Sequence, residues 1–298
     1  MNQITVKQNQ DKYLQYLAAQ RQLYDDDKKI KGVFLVLSLV IAFLGNGTFL
    51  ALNLSVIPPL VTWIIWLYAI GNLLVLPLLT ASKRQMAAKI QELFDCEILE
   101  LPWNDSLGKK PEPEEIYKAY KKYKKRHTPE DWEKLKNWYT TPKLGEMKLS
   151  QARVACQREN IWWDAEQRRE YARGVIIATI ITFVALITVG IIADWSFRLF
   201  FQGPLALSLT ILVIGISHGI SHLEAAKVLD ELLTRSTELW QLASRNEENE
   251  SEISRRSRDL QTEIYHHRKG NLPVFSWYYA RLRSKYEGIS RGARDFDQ

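Results

Sequence analysis

The sequence predicts an all-α membrane protein, with four transmembrane helices in two hairpins and a cytoplasmic helical bundle formed by helix extensions and the middle region. Three observations predict this fold class. Hydrophobic residues make up 46% of the chain, but they are concentrated in four runs. The runs form two tandem pairs with short connectors, and no segment alternates as a β-strand does. Each run approaches the roughly 20 apolar residues that a helix needs to cross a bilayer; they are residues 33–50, 58–79, 174–193 and 199–216.

The positive charges predict how the hairpins are oriented. Of the 40 Lys and Arg residues, only Arg198 lies within the two hairpins. Cytoplasmic segments are enriched in Lys and Arg, so both termini and the middle region are expected to face the cytoplasm. The predicted division is a cytoplasmic N-terminal helix at 1–31, a first hairpin at 32–80, a cytoplasmic helical region at 81–173, a second hairpin at 174–221 and cytoplasmic C-terminal helices at 222–298.

The start of the chain, its cysteines and its net charge fit the same orientation. Residues 1–31 are polar and the first apolar run is a full span, which predicts no cleavable signal peptide. Cys96 and Cys156 are expected to be free thiols on the reducing, cytoplasmic side. The net charge of +6 is explained by the positive-inside bias and by anionic lipid, so no DNA or RNA polymer is expected as a partner.

Polar residues and a proline interrupt the first hairpin. Residues 5–31 are predicted to be helical and to lead into the first span, which carries Asn46 part way along. The second span carries Asn72 and Pro77. Polar atoms at membrane depth cost free energy unless they face protein or water. They therefore indicate either a kink or helix–helix contact, or else a pore or hydrated seam.

The middle region is predicted to be a set of helices joined by turns. The second span is expected to continue as a helix to Cys96 and to stop at a turn at 101–104. Residues 114–126 predict a short helix, whose basic run is typical of a solvated or lipid-facing surface. Thr128 as N-cap and Pro129 at the first helical position predict another helix, with an apolar face that extends to Tyr139.

The fourth span is predicted to continue through His218 and His222 into a cytoplasmic helix that extends to Arg268. Gly270 is expected to end it, and residues 274–286 predict a last amphipathic helix. The two histidines share a helix face, but a metal ion needs further ligands that the sequence does not supply. We interpret them as polar caps at the membrane interface, and no metal site is expected.

The junction at residues 150–190 links the cytoplasmic region to the membrane. A polar helix rich in Arg and Trp continues there into the third span, and Gly174 is the only helix breaker before Gly190. We therefore expect a single continuous helix to couple the cytoplasmic part to the membrane.

The junction helix also carries the main candidate binding residues. Guanidinium groups pair with phosphate oxygens, and indole rings stack on bases. The alternative interpretation is that the tryptophans are core residues of the bundle and the arginines lie on its surface. The candidates are Arg153, Arg158, Trp162, Trp163, Arg168 and Arg169.

Motifs for catalysis are lacking in the sequence. It contains no P-loop, no G-x-G-x-x-G, no G-x-S-x-G elbow and no cysteine pairs of zinc type. We therefore expect no enzyme activity, no catalytic residues and no cofactor.

Five motifs, in a fixed order around the two hairpins, carry a resemblance to a known family. They are LAAQRQLY at 17–24, IQELFDCEILELPWN at 90–104, NWY at 137–139, CQRENIWWDAEQRR at 156–169 and LPVFSWYYARLR at 272–283. With these motifs the chain resembles, over nearly its whole length, the SMODS-associating four-transmembrane effector family of bacterial anti-phage signalling (CBASS). The order of the motifs is more specific than any one of them.

The resemblance implies an effector encoded beside a cyclic-nucleotide synthase. Such an effector senses a cyclic di- or trinucleotide and damages the bacterial inner membrane, which kills or arrests the cell. The family brings no catalytic residues, and its ligand contacts cannot be transferred position by position. The predicted site is therefore the set of arginines and tryptophans of the junction helix, with Trp103, Asn104, Trp138 and Tyr139 as neighbours.

The proposed membrane lesion requires several copies of the chain, because four small spans leave little room for a lumen. A homo-oligomer is therefore expected, with Asn46, Asn72 and Ser208 lining the path. One alternative is a constitutive small channel or transporter, although its spans would usually carry charged substrate groups. Another is a membrane-anchored scaffold whose tryptophans bind a partner protein. A membrane-bound enzyme is the least favoured.

Overall fold

The computed structural model describes residues 2–51, 59–194, 196–245, 250–276 and 278. Ten α-helices account for most of these described residues, and no strand occurs among them, so the all-α prediction is confirmed. The helices are α1 (Ile4–Lys7), α2 (Asp11–Ala51), α3 (Pro59–Ile70), α4 (Leu76–Ile98), α5 (Pro113–Arg126), α6 (Pro129–Glu133), α7 (Leu149–Ile192), α8 (Phe197–Phe200), α9 (Ala206–Arg245) and α10 (Glu250–Gly270). Short 3₁₀ turns occur at Asp105–Leu107 and Leu144–Glu146, and π turns at Gly71–Val75 and Phe201–Leu205.

The chain divides into two compact units. The polar unit consists of the described residues of Met1–Asp27, Ala81–Gln167 and Ala225–Gln298, and the apolar unit consists of those of Lys28–Thr80 and Arg168–Glu224. Four long helices, α2, α4, α7 and α9, each contribute to both units. The junction at 150–190 is thus one unbroken helix, as expected from the sequence.

The polar unit has an apolar core built from helix faces. The start of α2, the second half of α4 and the segment after α6 supply its main cluster, where the rings of Phe94 and Tyr139 stack with their centroids 6.3 Å apart. The amphipathic helix α5 packs Ile116 and Ala119 against Ala19 and neighbouring α4 residues in a second cluster. Its first turn carries a capping box and Pro113, which satisfy backbone donors that would otherwise lack partners.

The predicted helix at 129–139 is wrong in length. Its start is correct, because Thr128 and Asp131 form a capping box with Pro129 in the first turn. However, α6 ends at Glu133, and Asn137 has a left-handed backbone with φ of 50°. The backbone N–H of Tyr139 then donates to Oε1 of Gln8 at 2.8 Å instead of to its own helix. A tertiary hydrogen bond therefore takes the place of the predicted last turns.

The predicted helix from the fourth span to Arg268 is two helices. α10 packs antiparallel to α9, because Leu239 shares an apolar cluster with Ile253, and Leu232 shares one with Leu260. Both clusters also include residues of α7. The antiparallel packing buries apolar faces that a single straight helix would have left exposed. α10 ends at Gly270 as predicted. The last amphipathic helix predicted at 274–286 lies mostly outside the described residues.

The apolar unit exposes its large apolar side chains. Leu78 is 76% exposed and Ile192 is 78% exposed, and exposed Ile, Val, Leu and Trp residues occur along all its long helices. Such a surface is unfavourable in water but is the expected one in lipid. Among the described residues, α7 and α9 are long and apolar enough to cross a membrane. The other two predicted spans fall on α2 and on α3 with the start of α4, and residues 52–58 between them lie outside the described residues.

A proline accompanies an irregular turn in each hairpin. The π turn at Gly71–Val75 ends two residues before Pro77, and the π turn at Phe201–Leu205 contains Pro204. Proline lacks the N–H of a regular helix and its ring clashes with the carbonyl four residues earlier. A π turn shifts the backbone hydrogen bonds and accommodates the ring without ending the helix.

Small residues set the contact between α7 and α9 inside the apolar unit. A β-carbon added at Gly215 would lie 2.1 Å from Oγ1 of Thr179, and one added at Gly219 would lie 2.5 Å from Ile176. The two glycines form a G-x-x-x-G pair on one helix face, which lets the backbones approach closely. The sequence analysis missed this motif, although its spacing is visible in the sequence.

Candidate functional site

A buried network of charged and polar side chains lies at the centre of the polar unit. Glu92 and Asp95 on α4 are fully buried and each pairs with an arginine of α10. Nη1 of Arg268 donates to Oδ2 of Asp95 at 2.6 Å, and Nη2 of Arg258 donates to Oε1 of Glu92. Between these pairs, Nε2 of Gln261 donates to both carboxylates, at 2.9 and 3.0 Å. The network therefore joins α4 to α10.

The same network reaches α7 and the segment after α6. The hydroxyl of Tyr139 donates to Oδ1 of Asp95 at 2.7 Å and accepts from Nδ2 of Asn160 at 3.2 Å. Nε2 of Gln157 donates to Oε1 of Gln261 at 3.0 Å, and the hydroxyl of Ser257 donates back to Gln157 at 2.9 Å. Three helices and one loop are thus fixed in register by buried polar contacts.

In this network, burial and ion pairing shift the pKa of each charged group in opposite directions. Burial raises the pKa of Glu92, although the nearby Arg258 guanidinium pulls in the opposite direction. Burial alone would lower the pKa of Arg268, but the Asp95 carboxylate outweighs it and the pKa is raised. Removing either partner would leave an uncompensated charge in the core. The ion pairs therefore specify where α10 sits more than they add to stability.

Arg153 is held by the end of α4. Its Nε donates to the carbonyl of Leu99 at 2.5 Å, and its Nη2 donates to the carbonyl of Glu100 at 2.7 Å. Glu100 has a left-handed backbone with φ of 53°, which turns these carbonyls away from the helix. Nη1 also donates to the hydroxyl of Ser254 on α10 at 3.2 Å. Arg153 therefore caps α4 and contacts α10, and burial lowers its pKa.

The other candidates of the junction helix are distributed over both units. In the polar unit, Nε of Arg158 donates to Oγ1 of Thr237 on α9 at 3.2 Å. Trp162 and Trp163 are half-buried and meet edge to face, with ring centroids 6.1 Å apart. Arg168 and Arg169 belong to the apolar unit, where Arg168 is buried and its Nη1 lies 3.4 Å from Nδ1 of His222.

The predicted neighbours of the site lie close to the buried network. Nε1 of Trp103 donates to the carbonyl of Gly108 at 2.9 Å, and its ring packs on three apolar clusters. Asn104 accepts from the N–H of Ser106 and donates to Thr262 of α10 at 3.1 Å. The Trp138 ring meets Phe94 edge to face.

The structure brings three of the candidates together around α10. Asn104 and Arg153 contact α10 directly, and Tyr139 reaches it through Asp95. The sequence analysis missed the network residues beside them. The available signal was a pair of carboxylates three residues apart, Glu92 and Asp95, in the otherwise mostly apolar segment 90–99. Such acids need a buried cationic partner, but the sequence does not say which.

The three positions predicted to line a membrane path have different environments. Asn46 lies in α2, and its side chain is outside the described set. Asn72 is exposed in the first π turn, whereas Ser208 is fully buried and donates to the carbonyl of Leu205 at 2.9 Å. The histidines of α9 contact α7 in the apolar unit, where Nε2 of His218 lies 3.1 Å from the Tyr171 hydroxyl.

The architecture is that of an all-helical membrane protein with a polar helical unit tied together by buried ion pairs. The model of the SMODS-associating 4TM effector domain matches residues 2–293, so the chain belongs to this family of transmembrane effectors in anti-phage defence. A protein from Bacillus cereus (strain VD146) named "Probable CBASS effector molecule" is 27% identical over 244 residues, which are 80% of this chain and 76% of that protein. No solved structure matches the chain.

Proposed function

We propose that the protein senses a cyclic di- or trinucleotide through its polar unit and in response permeabilises the bacterial inner membrane, with both termini in the cytoplasm. The effector role in anti-phage defence follows from the family. The relative's name supports a place in cyclic-oligonucleotide signalling. The protein acts without catalysis and without a cofactor, and the messenger is its ligand.

The continuity of α7 carries the proposal. Between Leu149 and Gln167 this helix contacts α10 through Arg153 and Gln157 and contacts α9 through Arg158. Beyond Arg168 the same helix becomes an apolar, membrane-type segment that ends at Ile192. A ligand that changed how α9 and α10 pack against the first part of α7 would therefore act on a helix that also forms a span.

The ligand must favour one packing over the other to do this. A messenger that binds the active packing 100-fold more tightly shifts the equilibrium by about 2.7 kcal/mol, and one with equal affinity shifts nothing. Arginines suit the phosphates, and half-buried Trp162 and Trp163 suit the bases. The protein acts as a homo-oligomer, because one protomer has too few spans to enclose a lumen. Asn46, Asn72 and Ser208 remain the proposed positions along the path.

The test is dye release from liposomes that contain the purified full-length protein, titrated with a panel of cyclic di- and trinucleotides. One member of the panel should trigger release, and linear nucleotides should not. Arg158→Gln should raise the concentration of ligand that gives half-maximal release by roughly tenfold or more, because a hydrogen bond to a charged group is lost. Arg235→Gln, on the exposed side of α9, is the matched control and should leave it unchanged.

Each other outcome has a clear meaning. Leakage that does not depend on ligand would favour a constitutive channel. Silence across the panel, with correct membrane insertion verified, would contradict the proposed sensing and favour a scaffold. An unchanged ligand response in Arg158→Gln would refute the junction helix as the binding site but not the effector class.

A further inference from the structure

We propose that the C-terminal half of α5 binds the headgroups of anionic phospholipids at the cytoplasmic surface of the membrane. The binding surface, called the basic face below, consists of Lys118, Lys121, Lys124 and Lys125, all of which are exposed. The opposite side of the helix is buried and apolar, with Ile116, Ala119 and Tyr123 in the core of the polar unit. The helix is therefore fixed with its lysines facing outward.

The contacts of α5 show how far it extends along α2. Ala119 packs in one cluster with Ala19, and seven residues further along both helices Arg126 pairs with Asp26, Nη1 to Oδ1 at 3.3 Å. Lys122 also pairs with Asp26. Equal steps on the two helices mean that α5 runs parallel to α2, so its C-terminal end lies beside Asp26.

Asp26 is very close in the chain to the membrane-type segment. α2 is unbroken from Asp11 to Ala51, and the apolar unit begins at Lys28. Two residues of α-helix correspond to about 3 Å along the axis. The C-terminal end of α5 is therefore paired with α2 two residues before the apolar part of that helix begins.

The charges of the basic face are available for an external partner. Asp26 offsets Lys122 and Arg126. Within the part of the chain that the structure describes, no ion pair involves Lys121, Lys124 or Lys125. The helix dipole favours cations in a last turn, which accounts for some of these positions. It does not account for Lys118 and Lys121, which lie one to two turns earlier.

Anionic lipid is the partner whose chemistry fits this surface. The cytoplasmic leaflet has a negative surface potential that attracts clustered lysines beside a membrane segment. Tyr117 is 59% exposed and adjoins the basic face, and tyrosine is enriched at membrane interfaces. A soluble nucleotide would also bring phosphates to these lysines, and the dependence on anionic lipid measured below distinguishes the two partners.

The test measures the distance of the basic face from lipid headgroups directly. Lys121→Cys in the full-length protein is labelled with a fluorophore and reconstituted into nanodiscs that contain a headgroup-spin-labelled lipid. The native thiols should not react, because Cys96 and Cys156 are buried and burial raises the pKa of both. Quenching should be roughly twofold stronger when anionic phospholipid is present than in purely zwitterionic nanodiscs, and raised salt should remove the difference.

A distal lysine provides the matched label control. Lys136 is exposed and adjoins Asn137, whose backbone N–H donates to Oδ1 of Asn9 at 2.9 Å. Asn9 precedes α2, and the 17 helical steps from Asp11 to Lys28 correspond to about 25 Å along the axis. A label at Lys136→Cys should show no dependence on anionic lipid.

Charge reversal separates headgroup binding from mere proximity. In the protein labelled at position 121, Lys124→Glu with Lys125→Glu should abolish the effect of anionic lipid, whereas Lys136→Glu with Lys143→Glu should preserve it. Equal quenching in both kinds of nanodisc, or an equal loss in the two double variants, would overturn the proposal. The readout does not depend on any messenger, so it stands apart from the test of the proposed function.

Discussion

The two units of the molecule differ in where their apolar side chains face and in what holds their helices together. In the apolar unit the large apolar side chains face outward, and α7 and α9 approach each other through Gly215 and Gly219. In the polar unit the apolar side chains face inward, and carboxylates at Glu92 and Asp95 lie at the centre. Lipid offers no hydrophobic drive between helices, so close backbone contact holds them together. Water supplies that drive, and the buried charges then specify how the helices are aligned.

The contrast implies that the units differ in what they tolerate. The polar unit should be most sensitive to loss of a charge partner, because an unpaired charge in a core has no solvent to stabilise it. The apolar unit should be most sensitive to added volume at a glycine contact. A substitution of each type should therefore destabilise mainly the unit in which it lies.

The largest effect is expected from Arg268→Met. Methionine has a similar volume but leaves Asp95 buried without its cation, which should lower the free energy of unfolding by about 3–5 kcal/mol. Chemical unfolding of the full-length protein in detergent, followed by circular dichroism, measures this loss. Arg235→Met is the control, because its pair with Glu263 is exposed on both sides and such pairs contribute only about 0.2–1 kcal/mol.

The double variant Asp95→Asn with Arg268→Met sharpens this result. A neutral amide needs no cation, so the double variant should recover part of the stability that Arg268→Met loses. If Arg268→Met and Arg235→Met are equally stable, buried ion pairs do not hold the polar unit together. The proposed contrast between the two units would then be wrong.

A smaller effect is expected from Gly215→Ala in the apolar unit. The added methyl group would lie 2.1 Å from Oγ1 and 2.7 Å from Cγ2 of Thr179, so α7 and α9 must move apart. Overpacking of this kind costs about 1–3 kcal/mol. Thermal unfolding in detergent should show a lower midpoint than wild type, together with impaired ligand-triggered dye release.

Gly71→Ala is the matched control within the same unit. No atom lies within 4 Å of a β-carbon added there, so the substitution should be neutral or slightly stabilising. A drop in midpoint as large as that of Gly215→Ala would mean that α7 and α9 are not held by glycine contacts.

The sequence was sufficient for the features that depend on local pattern. Apolar runs predicted the exposed helices of the apolar unit, Thr128 and Pro129 predicted a helix start, and Gly270 predicted a helix end. The features it did not reveal depend on distant partners. Tyr139, which the pattern assigned to the helix, bonds instead to Gln8 across 131 residues, and Asp95 meets Arg268 across 173 residues.

The candidate site shows the same limit. Arg153 has the chemistry of a phosphate ligand, yet the structure gives its guanidinium two backbone carbonyls at the end of α4. Nothing in the local sequence distinguishes an arginine that caps a helix from one that binds a phosphate, because both use the same donors. Whether an arginine caps a helix or binds a phosphate depends on which helix packs beside it. That neighbour is known only from the three-dimensional structure.

The smallest predicted effect concerns Cys96, which lies beside the buried carboxylates. Its Sγ accepts from Nη1 of Arg258 at 3.0 Å, and burial raises its pKa from 9.0 to about 12. The folded state therefore holds the thiol proton more tightly than the unfolded state. Its contribution to stability is present below the unfolded pKa and is lost as the pH rises toward the folded pKa. Between about pH 8 and about pH 10 this one group should lower the free energy of unfolding by on the order of 1 kcal/mol.

Cys96→Ser isolates that contribution. The serine hydroxyl can still accept from Arg258 but does not titrate in this range, so the variant should lose less stability than wild type between the two pH values. Other buried groups, such as Tyr139 with its raised pKa, affect both proteins alike and cancel in the difference. The measurement is chemical unfolding at each pH. Parallel losses in the two proteins would mean that water reaches Cys96, and the centre of the polar unit would then be open to solvent instead of sealed around its charges.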